Sequence, residues 1–168
     1  MNTILPPEPG ATTDPIDTVA VVGAGSIGIA WAVVFASAGV KVRISETVEA
    51  VRGAARAAVE AKLRDLDAAG LLQEAPSEII TRVAVCESVA EAVEGAQYVQ
   101  ECVVENVEVK RELFAELDRL TGPEVILASS TSALMASTFA ADLPNRQRCL
   151  VVHPGNPPYF LRVAEVVP

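Results

Sequence analysis

The five residues Thr18-Val19-Ala20-Val21-Val22 run directly into Gly23-Ala24-Gly25-Ser26-Ile27-Gly28, and no other feature of the chain restricts its fold so tightly. A Gly-x-Gly-x-x-Gly turn that follows a β-branched strand and opens a helix is the first corner of a βαβ unit. Gly23 permits the tight turn, and Gly25 lets the backbone approach a pyrophosphate. Gly28 lets the helix pack close to the strand, while Ser26 and Ile27 begin a helix whose N–H groups face the anion. A flavin or S-adenosylmethionine protein could share this turn, so the residues that follow must decide.

The same rhythm continues downstream. Apolar spacing predicts helices over residues 27–38, 48–69, 77–81, 89–94 and 109–120, and strands over 40–45, 82–85, 98–103 and 124–128. Strands that alternate with helices need crossover connections and a parallel sheet covered on both faces. The expectation is one doubly wound, mostly parallel Rossmann-type α/β domain over residues 18–168, with a helical insertion after the second strand. Residues 1–17, with Pro6, Pro7, Pro9 and Pro15 among few apolar residues, read as a flexible arm. The final stretch holds two apolar runs, 149–152 and 161–167, flanking His153-Pro154-Gly155-Asn156-Pro157-Pro158.

Glu46 closes the second strand, 18 residues after Gly28, where an acidic side chain reads the adenosine ribose. Its carboxylate accepts from both ribose hydroxyls and repels a 2′-phosphate, which favours NAD over NADP. Arg43 is an odd number of residues away and points to the other sheet face.

The net charge of −9 and the pI near 4.6 argue against a nucleic acid or an anionic membrane as partner. The chain has no 18-residue apolar span, and its first residues lack the basic start and apolar run of a signal peptide. One histidine and three scattered cysteines (Cys86, Cys102, Cys149) give no metal site. They point instead to reduced, buried thiols and a cytoplasmic location.

The one histidine, His153, ends an apolar strand beside a turn rich in proline. Glu165 lies 12 residues on, and a reversal at the prolines returns it to His153. A carboxylate on one imidazole nitrogen fixes the tautomer and leaves the other free to take a proton. Ser129-Ser130-Thr131-Ser132 leaves the strand at 124–128 on the carboxyl edge of the sheet, where ligands bind in open α/β folds. Ser132 is the candidate for holding a substrate oxygen in line. These residues fit the oxidation of a secondary alcohol.

Taken together, these motifs resemble the 3-hydroxyacyl-CoA dehydrogenase superfamily, and within it the lambda-crystallin or L-gulonate 3-dehydrogenase branch. The residues that carry the resemblance are the glycine turn, Ser129 to Ser132, His153 to Pro158 and Glu165-Val166-Val167-Pro168. Trp31 with Phe35-Ala36-Ser37, Ala92 to Ala96, Gln100-Glu101-Cys102-Val103 and Leu134-Met135 point to the branch.

The resemblance implies that His153 is the base, Glu165 its partner and Ser132 the contact to the substrate oxygen. It implies that Glu105, Lys110, Ser130 and Asn156 line the NAD site, the last two near the nicotinamide. Read without it, Glu105 is a solvated strand end and Lys110 a helix-surface charge. Ser130 stands where asparagine is common, and Glu46 where aspartate is usual. The helix at 61–67 lacks a lysine-rich run for CoA, which favours a small 3-hydroxy acid such as L-gulonate over a 3-hydroxyacyl-CoA. The resemblance further implies a C-terminal helical domain, absent from this sequence, that closes the cleft and forms a homodimer. The alternative is a non-catalytic NAD-binding or structural module.

Overall fold

Successive side chains of a strand point to opposite faces, so an apolar strand buried on both sides must be covered twice. The first strand, β1 (Thr18–Val22), is buried at every position. Val19 and Val21 join one apolar cluster, while Ala20 and Val22 join the other. The computed structural model describes residues 15–168, so most of the expected arm lies outside the described residues. Asp17, at the arm's expected end, is already tied down. Its N–H donates to Gln97 Oε1 at 2.7 Å, and its carbonyl accepts from Lys41 N at 2.9 Å.

The elements follow as α1 (Ser26–Ser37), β2 (Lys41–Ser45), α2 (Glu49–Ala68), α3 (Pro76–Ile79), β3 (Val83–Cys86) and α4 (Val89–Val93). Then come β4 (Tyr98–Glu101), α5 (Val107–Leu120), β5 (Ile126–Ser129), α6 (Ala136–Ala140), β6 (Cys149–Pro154) and β7 (Ala164–Val167). The sheet order is β3-β2-β1-β4-β5-β6-β7. The first six strands are parallel, and β7 runs antiparallel to β6. Helices α1 and α2 cover one face, with Ile29, Ala32, Val59 and Leu63 against Val42 and Ile44. Helices α4, α5 and α6 cover the other, with Ala92, Phe114 and Phe139 against Val99 and Leu127. The doubly wound expectation holds, and the long α2 with α3 is the helical insertion. The order reverses between β1 and β4, which opens a crevice at their carboxyl ends.

Two strand boundaries and one helix differ from expectation for physical reasons. The strand expected to reach residue 103 ends at Glu101, because the Val103 N–H is taken by Glu101 Oε1 at 2.7 Å rather than by a neighbouring strand. The strand expected from 124 begins at Ile126, after a turn in which Val125 N donates to Gly122 O at 3.1 Å. The short helix α6 was not expected at all. Its Phe139 packs on Phe114 with ring centroids 4.5 Å apart, a tertiary contact that no local pattern displays.

Candidate active site

The glycine turn fits the roles its spacing assigns. Gly23 has φ +102°, and a Cβ there would lie 2.6 Å from the Cys102 carbonyl oxygen. A Cβ on Gly28 would lie 1.9 Å from the Gly23 carbonyl oxygen, so this turn tolerates no side chain at either place. Gly25 is the opposite case, because nothing lies within 4 Å of where its Cβ would stand. It caps α1 without a side-chain hydrogen bond, and the first turn of the helix carries no acidic residue. Unblocked N–H groups at the positive end of a 12-residue helix therefore face an open cradle. A pyrophosphate fits this arrangement.

Glu46 sits beside that cradle. Ala24 N–H donates to its Oε2 and Val48 N–H to its Oε1, each at 2.9 Å. Partial burial raises its pKa, but the backbone donors at Val48, Ala24 and Thr47 outweigh this and hold the carboxyl below its ordinary range. The Thr47 hydroxyl donates to Oε1 as a third partner at 3.4 Å. Of a carboxylate's four acceptor directions one, on Oε2, is left for a ribose hydroxyl. Arg43 lies on the opposite face, where its guanidinium donates to the carbonyls of Glu91 and Glu94. The cation near Glu46 is Arg52, which the sequence reading passed over. It donates to the Glu46 carbonyl at 3.0 Å and lies 3.4 Å from Glu87 Oε2.

Lys110 is not the surface charge that its residue type implied. It is 1% exposed and donates to both Glu101 oxygens, at 2.7 and 2.8 Å. Glu101, wholly buried, also accepts from the Ser129 hydroxyl. Glu105, which lies just before α5 rather than at a strand end, has Oε2 3.5 Å from the Lys110 ammonium. Its Oε1 accepts from the Thr131 hydroxyl and, at 3.3 Å each, from the N–H groups of Ser132 and Ala133. Burial raises the Glu105 pKa, and Thr131, Lys110 and Ala133 more than reverse it, so the carboxyl titrates below its ordinary range. Glu101 was quoted in the sequence only as a family marker. A charged residue ending an apolar strand was the available signal.

Ser130 faces inward. Its hydroxyl oxygen accepts from the Trp31 indole at 3.1 Å and from the Gln100 amide at 2.8 Å, with Cys102 Sγ 3.2 Å away. Ser132 and Asn156 are exposed. Strands β5 and β6 are neighbours, with Ser129 opposite Val151, so Ser132 and His153 leave the same edge of the sheet.

The expected reversal at the prolines brings His153 and Glu165 directly opposite each other in the β6–β7 pairing. His153 Nδ1 lies 3.9 Å from Glu165 Oε2, and the side chains are 39% and 73% exposed. This is a solvent-accessible pair at the rim of the sheet. Among the described residues no three His, Cys, Asp or Glu side chains gather to hold a metal. A cavity of about 500 Å³ lies elsewhere, between α1, the end of α2 and the loop before β7, and includes none of the glycine turn.

Residues 18–168 match the family model described as 3-hydroxyacyl-CoA dehydrogenase, NAD binding domain. The lambda-crystallin homolog of Bos taurus is 43% identical over 152 residues, which cover 89% of this chain and 47% of the relative. The L-carnitine dehydrogenase/betainyl-CoA thioesterase of Rhizobium meliloti is 37% identical over 90% of this chain and 30% of its own length. Among solved structures, 3-hydroxybutyryl-CoA dehydrogenase from Escherichia coli K12 superposes with a TM-score of 0.84 at 29% identity. That superposition covers 90% of this chain and 32% of the other. The chain spans about half the length of the lambda-crystallin relatives.

Proposed function

This chain belongs to the 3-hydroxyacyl-CoA dehydrogenase NAD-binding domain family, and from that premise we propose that it is the cofactor-binding half of a dehydrogenase that oxidises a 3-hydroxy group. The observation that carries the proposal is the register of β6 and β7, which sets His153 opposite Glu165 at the carboxyl edge of the sheet. The family's cofactor is NAD, which when bound supplies the hydride acceptor.

The chain's own residues supply the rest. Gly23, Gly25 and Gly28, with Ser26 and Ile27 at the start of α1, cradle the pyrophosphate. Glu46 accepts from the adenosine ribose and its charge repels a 2′-phosphate. His153 Nδ1 faces Glu165, so Nε2 is the nitrogen left to take the hydroxyl proton, and the carboxylate stabilises the imidazolium that forms. Ser132 holds the substrate oxygen in line. Glu105 lines the NAD site, with Lys110 buried beneath it and within 3.5 Å of its carboxylate rather than in contact with the cofactor. Ser130 and Asn156 stand near the nicotinamide.

The substrate we propose is a small 3-hydroxy acid such as L-gulonate, or a 3-hydroxyacyl-CoA. This chain spans about half the length of the lambda-crystallin relatives, and a helical domain that closes the cleft and forms a homodimer is part of the proposal. No helix among the described residues is long and apolar enough to cross a membrane. The cysteines Cys86, Cys102 and Cys149 are free, which supports a cytoplasmic setting.

The test is turnover by a form that includes the helical domain, followed as NADH production from 3-hydroxy acids. Replacing His153 with Asn is expected to lower the rate by about 10²–10⁴-fold with NAD affinity retained. Unchanged turnover would remove His153 as the base.

A further inference from the structure

Five residues, Glu101, Lys110, Glu105, Thr131 and Ser129, close a ring at the carboxyl ends of β4 and β5 through four side-chain links and the Thr131 N–H. Lys110 donates to Glu101 and lies 3.5 Å from Glu105. Glu105 accepts from the Thr131 hydroxyl. Thr131 N–H donates to Ser129 Oγ at 3.2 Å, and the Ser129 hydroxyl donates back to Glu101. Every link but the two made by Glu105 is buried, and Glu101 accepts a fourth bond from Val103 N. The ring thus ties the end of β4, the first turns of α5 and the segment Thr131 to Ala133.

We infer that Glu101 is a positioning residue, holding Lys110 and Ser129 so that Glu105 and Thr131 fix the backbone of Ser132 and Ala133. Glu101 itself cannot meet a substrate, because it is wholly buried. It acts at a distance through the ring. Lys110 has two carboxylates within reach, and Glu101 takes both short bonds. Without the Glu101 carboxylate, Lys110 and Ser129 lose their shared acceptor, so Glu105 and Thr131 lose the anchors that hold them against the Ser132 and Ala133 N–H groups. The segment carrying Ser132 then loosens, while the sheet beneath it stays paired. The consequence for catalysis rests on Ser132 being the substrate contact, as proposed above. The positional claim does not.

Amide hydrogen exchange read by NMR on the full chain tests it without cofactor or substrate. The variant Glu101→Gln is expected to raise the exchange rates of Ser132 and Ala133 by about tenfold or more, with Val21 and Val42 unchanged. A second variant, Glu101→Gln with Lys110→Met, leaves no buried charge unpaired, and so covers the case in which the single variant fails to fold. There the same two amides are again expected to exchange fast, and the Glu105 carboxyl, now without its ammonium, to titrate at higher pH than in the parent. Parental exchange at Ser132 and Ala133 in the double variant would overturn the inference. It would show that Glu101 only neutralises Lys110. Failed NAD binding by the parent chain would instead count against the dehydrogenase reading and leave this result intact.

Discussion

Glu46 and Glu105 each accept backbone N–H groups at the mouth of the crevice, and both carboxyls titrate below their ordinary value of 4.5. A carboxyl whose folded pKa is depressed contributes stability that is fully present above the unfolded value and is lost as pH falls through the folded one. The urea midpoint is therefore expected to be level above about pH 5 and to decline below 4.5, and replacing Glu46 with Gln is expected to flatten part of that decline. Much of this detail was open to a reader of the sequence. Glu46 is placed by its distance from the glycine turn, and Gly23 and Gly28 by the motif itself. Lys110 was misjudged by residue type, although Leu113, Phe114 and Leu117 stand three, four and seven residues on and place it on the buried face of α5. Glu101 left only the signal of a charge ending an apolar strand, because its partners come from α5 and β5 and meet only in the fold.

At the scale of elements, Ser130 fastens α1 to the sheet. Both lone pairs of its hydroxyl are used, one by the Trp31 indole in α1 and one by the Gln100 amide in β4, and that amide also reaches the Val152 carbonyl in β6 at 3.4 Å. The variant Ser130→Ala leaves two donors in the interior without their acceptor. It is expected to cost about 1–3 kcal/mol in a urea unfolding series, and to shift Trp31 emission. A loss below a few tenths of a kcal/mol would mean that water or Cys102 replaces the hydroxyl. Trp31 and the run Gln100 to Val103 mark the family as two separate segments of the sequence, and in the structure Trp31, Gln100 and Cys102 converge on Ser130. The order of strands and helices was legible, since each has its own apolar period. The early end of β4 and the presence of α6 were not, because the Glu101 side chain turns back on the backbone two residues on to end the one, and Phe114, far off in sequence, seats the other.

For the whole molecule, the two-faced burial of β1 and the reversal between β1 and β4 put the glycine turn, Glu46, Glu105, Ser132 and His153 along one edge of one sheet. Apolar side chains remain exposed at the β7 end of the strand order, at Phe160, Leu161, Val163, Val166 and Val167. They account for part of the mean hydropathy of +0.35 in a chain whose net charge is −9. With that excess of negative charge, an anionic cofactor gains little from the overall field. It must be held locally by the open N-terminus of α1. The most direct test of this account is a pair of dissociation constants, for NAD and for NADP, read from the fluorescence of Trp31, the one tryptophan of the chain. The expected result is NAD binding at least about tenfold tighter, a difference of roughly 1.4 kcal/mol, narrowing when Glu46 is replaced by Ala. Equal constants for the two, or no binding of either, would contradict it.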